Sequence, residues 1–127
     1  MRKSVHHELY HMIDYFDDGQ WDIDPAWEGL NAHGFKYGKG GLSVENDSPL
    51  HIADFSVPGF FNAYSRSGLA EDKAEVFAKL MTKPIFLEAR AAFDAILSAK
   101  QREMETRLER FCPGFAKAIR KRTLARK

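Results

Sequence analysis

The sequence predicts a mainly α-helical fold (α+β only to the extent of a small hairpin), and three observations lead to this class. Apolar residues recur at spacings of three and four before residue 18 and again after residue 69, as in helices with one buried face. Glycines and other turn-forming residues are concentrated between residues 31 and 60. The length of 127 residues suits one domain with one modest core.

The composition limits the classes of function. The formal net charge is +1, so no general electrostatic field attracts nucleic acid or a membrane, and we expect neither as a partner. The single cysteine, Cys112, excludes an internal disulfide and a cysteine-based zinc site. We expect it to be a small buried residue. No apolar run of about 20 residues and no apolar signal region occurs, so the sequence predicts neither a transmembrane segment nor a signal peptide.

The first predicted helix runs from about Ser4 to Asp17 and ends before Gly19. Its apolar residues have the spacing of an amphipathic helix, in which one side faces a core. These residues are Val5, Leu9, Met12, Ile13 and Phe16.

This helix carries the motif on which the functional interpretation depends, His7-Glu8-Leu9-Tyr10-His11. Residues four apart lie on the same helical face, so the two imidazoles can bind one Zn²⁺ while Glu8 stays beside them as a general base. Asp14 follows one turn after His11. It is interpreted either as the acceptor of an imidazole N–H from a ligand or as a solvated acid near the helix end.

A short second helix is predicted from Asp24-Pro25 to about Leu30, because aspartate is a good N-cap and proline suits the first helical position. Trp21 and Trp27 are expected to anchor the core rather than to bind substrate.

The segment between residues 31 and 60 is predicted to be loop with a small hairpin that turns between Gly38 and Gly41. Phe35 and Tyr37 alternate with polar residues, and so do Leu42 and Val44. The two segments would therefore pair as the strands of the hairpin. We expect this long loop to lie near the metal. Its two histidines, His33 and His51, are candidate ligands, although loop histidines are more often surface residues.

The next predicted helix begins after Ser67, a favourable N-cap, and extends to Met81. Glu71 and Glu75 lie one turn apart on it. A catalytic zinc site with two histidines needs a third protein ligand, and Glu71 is the natural candidate, with Glu75 accepting a hydrogen bond from a ligand imidazole. The alternative is an ordinary solvated acidic helix face.

The rest of the chain is predicted to be helical scaffold. One long helix runs from Pro84 to about Phe111, and a last helix follows Pro113-Gly114. The apolar residues of the long helix are Leu87, Phe93, Ile96, Leu97, Met104 and Leu108. The last helix ends in a basic tail that includes Arg120, Lys121 and Arg122. Such tails are usually solvated, and here no interleaved aromatic residues indicate base stacking.

Taken together, these stretches resemble a known family. The pattern His7-Glu8-x-x-His11-x-x-Asp14, followed by Tyr64 and Glu71, is similar to the zinc metallopeptidases related to anthrax lethal factor and to the Pro-Pro endopeptidases. The segments from Trp27 to Asn31 and from Gly34 to Gly38 resemble bacterial zinc-binding metallopeptidases of that type. The resemblance covers roughly residues 5 to 81.

The resemblance implies a zincin-like helical core in which the HExxH helix packs against the second, glutamate-bearing helix. It implies that His7, His11 and Glu71 bind Zn²⁺ and that Glu8 is the base. Tyr64 would be a phenol directed at the developing oxyanion, and Glu75 matches the second acid of that helix. The gap between His11 and Glu71 is longer than in lethal factor.

The function expected from this reading is zinc-dependent endopeptidase activity on a peptide or protein substrate. The alternatives are a zinc-binding but catalytically silent effector or interaction domain, and a helical nucleic-acid module that uses the basic tail. We expect residues 1–127 to form a single zincin-like domain or the C-terminal part of a longer catalytic domain. The resemblance further suggests secretion of a longer parent.

Overall fold

A computed structural model describes residues 2–18, 23–38 and 52–126 of the chain. Over these ranges the protein is mainly helical, which confirms the predicted class, and its extended pairing is limited to an isolated antiparallel bridge between Ala53 and Asn62. The helices are α1 (Arg2–Asp18), α2 (Pro25–Glu28), α3 (Ala63–Arg66), α4 (Leu69–Thr82), α5 (Pro84–Ala91), α6 (Ala95–Phe111) and α7 (Phe115–Arg126).

Helix α4 is the centre of the fold. It packs against α1, α3, α5 and α6, and α6 also packs against α5 and α7. Most of α4 is buried because other helices pack against it on several sides, and its buried residues include the charged Asp72, Lys73 and Glu75 as well as apolar ones. Its buried apolar residues join those of the other helices in one core, which includes Trp27, Phe61, Phe77, Leu80, Leu87, Leu97, Met104 and Leu108.

Helix α1 does not bury the apolar face that its sequence suggests. Val5, Leu9 and Met12 are 64%, 44% and 59% exposed. The helix instead turns His7, Tyr10 and Asp14 toward the rest of the protein, with exposures of 6%, 2% and 2%. The apolar spacing therefore predicted the helix correctly and its buried face wrongly, because the polar residues of α1 have partners on α4.

Helix α2 begins as predicted. The Asp24 carboxylate accepts a hydrogen bond from the Trp27 backbone N–H at 3.1 Å, and Pro25 occupies the first turn. Trp27 is completely buried, as expected of a core anchor, and its indole N–H donates to Asp72 at 2.9 Å. Trp21 lies outside the described residues.

The part of the predicted hairpin that the structure describes, residues 35–38, is not a β-strand. Phe35 and Tyr37 belong to no strand, and their expected partners Leu42 and Val44 lie outside the described residues. The two aromatic rings pack instead against Phe60 and each other, with ring centroids between 4.6 and 6.1 Å apart. The Tyr37 hydroxyl donates to Asp72 at 2.5 Å, so side chains rather than a β-ladder hold this segment.

The start of α4 differs by one residue from the prediction. Gly68 is its N-cap, and Ser67 instead ends the short helix α3, where its hydroxyl donates to the Tyr64 carbonyl at 2.6 Å. Ser67 is chemically suited to be an N-cap, but its hydroxyl is already hydrogen-bonded to a carbonyl of the preceding turn.

The long helix expected from Pro84 to Phe111 is broken into α5 and α6. Asp94 caps α6 by accepting from the Leu97 N–H at 3.0 Å and also accepts from the Gly59 N–H at 2.7 Å. Phe93, expected on the apolar stripe, lies at the break and is 90% exposed. The Asp94 carboxylate accepts hydrogen bonds from backbone N–H groups of both the α6 start and a distant loop. These hydrogen bonds favour two separate helices over one continuous helix.

Cys112 is exposed, so the expectation that it is buried was wrong. It caps the C-terminus of α6, where its backbone N–H donates to the Leu108 carbonyl at 2.7 Å and its side chain has no core to enter. Gly114 follows with a φ of 92°, and α7 then begins at Phe115 as predicted. No helix in the described ranges has the length and apolar character needed to cross a membrane.

A buried ion cluster, made of Asp14, Asp24, Lys73 and Arg107, joins α1, α2, α4 and α6. Lys73 is completely buried, and its amine lies 2.6 Å from Asp14 Oδ2 and 3.0 Å from Asp24 Oδ2. Arg107 binds both oxygens of Asp24, with the Nη2 to Oδ1 distance at 2.9 Å. Burial alone would raise the pKa of Asp24, but hydrogen bonds from Arg107 and Lys73 hold it well below its usual range.

Candidate metal centre

Helices α1 and α4 bring together three predicted ligands, His7, His11 and Glu71. One ligand atom from each lies within 4.8 Å of the other two. The His7 Nε2 atom is 2.8 Å from Glu71 Oε2, and the His11 Nε2 atom is 3.7 Å from Glu71 Oε1. The three side chains are only 8%, 18% and 14% exposed, so the cluster is largely shielded from water. The pairing that the sequence predicted across 64 positions is therefore present in the fold.

Glu75, the second glutamate of α4, lies behind His7. The His7 Nδ1 atom is 3.6 Å from Glu75 Oε2, on the opposite side of the ring from the atom that faces Glu71. The Glu75 side chain is 1% exposed. The Asn62 amide approaches its other oxygen at 3.5 Å. Glu75 therefore has the place expected of a residue that orients a ligand imidazole, and the solvated acidic face considered for Glu71 and Glu75 is excluded by their burial.

The two imidazoles are in different electrostatic environments. Burial favours the neutral form of His7, but its hydrogen bond to Glu71 and the negative charges of Glu75 and Glu71 outweigh this effect and raise its pKa to about 9. Burial lowers the pKa of His11, and the nearby positive charge of His7 adds to the decrease. The Glu71 carboxyl has a lowered pKa because hydrogen bonds from His7 and Tyr64 outweigh its burial. The cluster thus holds one cationic imidazole, one neutral imidazole and one carboxylate near neutral pH.

Tyr64 lies beside this cluster. Its ring centroid is 5.6 Å from that of His7, and the side chain is hydrogen-bonded to Glu71. Burial, followed by the negative charge and hydrogen bond of Glu71, raises the pKa of Tyr64, so the phenol keeps its proton. The short helix α3 fixes its position, because Asn62 and Ser65 form a capping box around the first turn.

Glu8 is exposed on α1, next to the cluster rather than within it. Its negative charge adds to the raised pKa of Tyr64 and opposes the lowering of the pKa of His11. The HExxH interpretation requires a base that is adjacent to the ligands and does not replace one of them.

The structure gives the other candidate residues different surroundings. Asp14 contacts Lys73 at 2.6 Å and is 2% exposed, which excludes the solvated-acid interpretation and gives its charge a cation as partner. His33 is exposed at a turn and is not part of the cluster. His51 lies outside the described residues.

Two kinds of residue were missed by the sequence reasoning. Asn62 both caps the helix that carries Tyr64 and approaches Glu75, and a signal for the cap existed in the serine three positions later. Lys73 and Arg107 were not singled out in the sequence, although they form ion pairs with the buried acids Asp14 and Asp24. Their role had no local signal, because their partners are distant in sequence.

The donor set suits a zinc ion by its chemistry. Two imidazole nitrogens and one carboxylate oxygen are a common set of protein ligands for catalytic zinc. In a tetrahedral site with bonds of about 2.0–2.1 Å, donor atoms lie roughly 3.4 Å apart, so the three donors need small movements to bind one ion. Metal binding would also displace the proton of His7, as required of a ligand imidazole.

Comparison with known proteins does not identify a family. No protein-family model matches the chain, and neither a curated protein nor a solved structure shows significant similarity to it. The resemblance to lethal factor-like metallopeptidases therefore stays a prediction from the residues that carry it.

Proposed function

We propose that this protein is a zinc-dependent endopeptidase, with His7, His11 and Glu71 as the metal ligands and α1 packed on α4 as a zincin-like core. The observation that supports this most directly is the approach of the three ligand atoms to within 4.8 Å of one another. Burial of Glu75 behind His7 adds a residue of the kind that orients a metal ligand.

The roles of the surrounding residues follow from their positions. When bound, Zn²⁺ would polarise the peptide carbonyl and lower the pKa of a coordinated water toward about 7. Glu8 would accept the proton of the attacking water and deliver it to the leaving amine. The protonated Tyr64 phenol would donate a hydrogen bond to the oxygen on which negative charge develops.

Metal analysis tests the ligand set without knowledge of the substrate. We expect the purified protein to bind one equivalent of zinc and Glu71→Ala to lose it. Glu88→Ala, which changes an exposed acid on α5, is the matched control and should bind zinc like the wild type. Equal zinc content in the wild type and Glu71→Ala would overturn the assignment.

Hydrolysis of a peptide library separates catalysis from metal binding. Glu8→Gln should keep zinc and lose about 10²–10⁴-fold in kcat, the usual contribution of a general base. Tyr64→Phe should keep zinc and lose about 10²–10³-fold, as when one oxyanion donor is removed. Full activity in zinc-loaded Glu8→Gln would contradict the proposal, and bound zinc without any cleavage would identify the catalytically silent alternative.

A further inference from the structure

A second candidate site lies toward the C-terminal end of α4, and its lining includes Asn62, which approaches Glu75 beside the metal cluster. It is a cavity of about 240 Å³ whose apolar wall includes Phe55, Phe61 and Phe86 and whose polar lining residues are Asn62, Lys79 and Lys83. Sites for drug-sized ligands usually measure about 300–1,000 Å³. This cavity is therefore of a size for one amino-acid residue or a small ring-bearing fragment.

Positive charge surrounds this aromatic wall. The Lys79 amine is 5.6 Å from the centre of the Phe61 ring and 5.7 Å from that of Phe86. The Arg90 guanidinium stacks on Phe55 with its central carbon 3.9 Å from the ring centre. Among the described residues that line the cavity, there are two lysines and no acid. An occupant with an apolar body and a negative end would complement this lining.

The cavity and the candidate metal centre are related through one helix. Glu71, Glu75 and Lys79 follow one another at intervals of four residues, the spacing of one face of α4, and Lys83 is the C-cap residue directly after the helix. At 1.5 Å per residue, Lys79 lies about 12 Å along α4 from Glu71, so one ligand atom cannot contact both. The acidic half of this face meets the imidazoles, and the basic half meets the phenylalanines.

We propose that the cavity binds a carboxylate attached to an aromatic group, with the ring among the phenylalanines and the carboxylate beside Lys79 and Lys83. The three rings offer the offset and edge-to-face contacts that aromatic groups prefer. The lysine amines supply hydrogen-bond donors and charge. This binding requires no metal and no catalysis, so it stands independently of the proposed peptidase function.

Binding is measured by NMR titration of the full chain in the absence of zinc. The probes are N-acetylphenylalanine and its uncharged amide, which share the ring and differ in the carboxylate. We expect the acid to bind at least about tenfold more tightly, the ratio expected of a charge-assisted hydrogen bond. Its chemical-shift changes should centre on Phe55, Phe61 and Phe86. A parallel titration with phenylacetate tells whether the site prefers the terminal residue of a peptide or a free aromatic acid.

Variants test whether the preference for the acid over the amide arises in the cavity. Lys79→Met with Lys83→Met keeps the apolar stems and removes both charges, so the acid and the amide should bind equally to this double variant. Lys117→Met, on the exposed side of α7, is the matched control and should keep the wild-type ratio. Equal binding of acid and amide to the wild type, shift changes centred elsewhere, or no saturation at millimolar acid would each overturn the proposal.

Discussion

Two groups of buried acids on α1, α2 and α4 are stabilised in different ways. In the buried ion cluster, Asp14 and Asp24 face Lys73 and Arg107. In the candidate metal centre, Glu71 and Glu75 face His7, whose charge depends on a proton. A proton on an imidazole can be exchanged for a metal ion near neutral pH, whereas the ion cluster contains no imidazole. The comparison suggests that the ion cluster is structural and that the histidine centre can respond to metal and pH.

The largest effect is expected in the ion cluster. Asp24→Asn keeps the shape of the side chain but leaves Lys73 and Arg107 without one of their negative partners, which should lower the free energy of unfolding by about 3–5 kcal/mol. Urea denaturation measures the change. Glu105→Gln is the control for a carboxylate paired with an exposed arginine, Arg120, and should cost less than about 1 kcal/mol. Similar losses in both variants would contradict the structural role of the cluster.

The next effect concerns pH in the metal-free protein. The pKa of His7 is about 9 in the folded chain and 6.5 in its unperturbed state, so the folded protein binds more protons between these values. Stability from this pair is fully present below about pH 6.5 and is lost as the pH rises through 9. The total change is at most about 3 kcal/mol. His11, with a lowered pKa, opposes folding only at lower pH, as it charges.

Denaturation curves between pH 6 and pH 9.5 test this pH dependence. The wild type should become less stable over this range, and the curve of His7→Gln should be flatter because the titrating imidazole is absent. A wild-type curve as flat as that of the variant would show that His7 is not held as a cation.

The smallest of the three effects is stabilisation by zinc. A ligand that binds only the folded state at a concentration of 100 times its Kd adds about 2.7 kcal/mol to the free energy of unfolding. We expect such an increase in the wild type and in Asp24→Asn, and none in Glu71→Ala. Thermal unfolding with and without zinc measures it. If Asp24→Asn stays folded but is not stabilised by zinc, the ion cluster and the candidate metal centre do not act separately.

The fold was predicted well where short-range patterns decide it. The Asp24-Pro25 helix start and the last helix after Gly114 are both local signals, and both are present. The break before Asp94 was missed because the carboxylate also binds the distant Gly59 N–H. The face of α1 was misjudged for a similar reason: Val5 and Leu9 have helical spacing, but contacts with α4 turn them outward.

In the candidate site, likewise, sequence patterns identified candidate residues, and distant contacts decided their surroundings. His7 and His11 were named from helical spacing, Glu71 from the need for a third zinc ligand and Tyr64 from the family resemblance. The surroundings of Asp14 and the part played by Asn62 depended on partners on other elements. From the sequence, an acid near a helix end such as Asp14 is expected to be solvated. Its burial becomes favourable only because Lys73, a buried lysine on another helix, pairs with it.

The sequence by itself determined the α-helical class and the placement of His7, Glu8 and His11 on neighbouring positions of one helix, because the helical period fixes which residues share a face. The tertiary structure decided that Glu71 reaches both imidazoles and that the lysine end of the same helix borders an aromatic cavity. These arrangements join residues far apart in the chain. They depend on how helices pack around α4, and side-chain spacing within one helix cannot specify that packing.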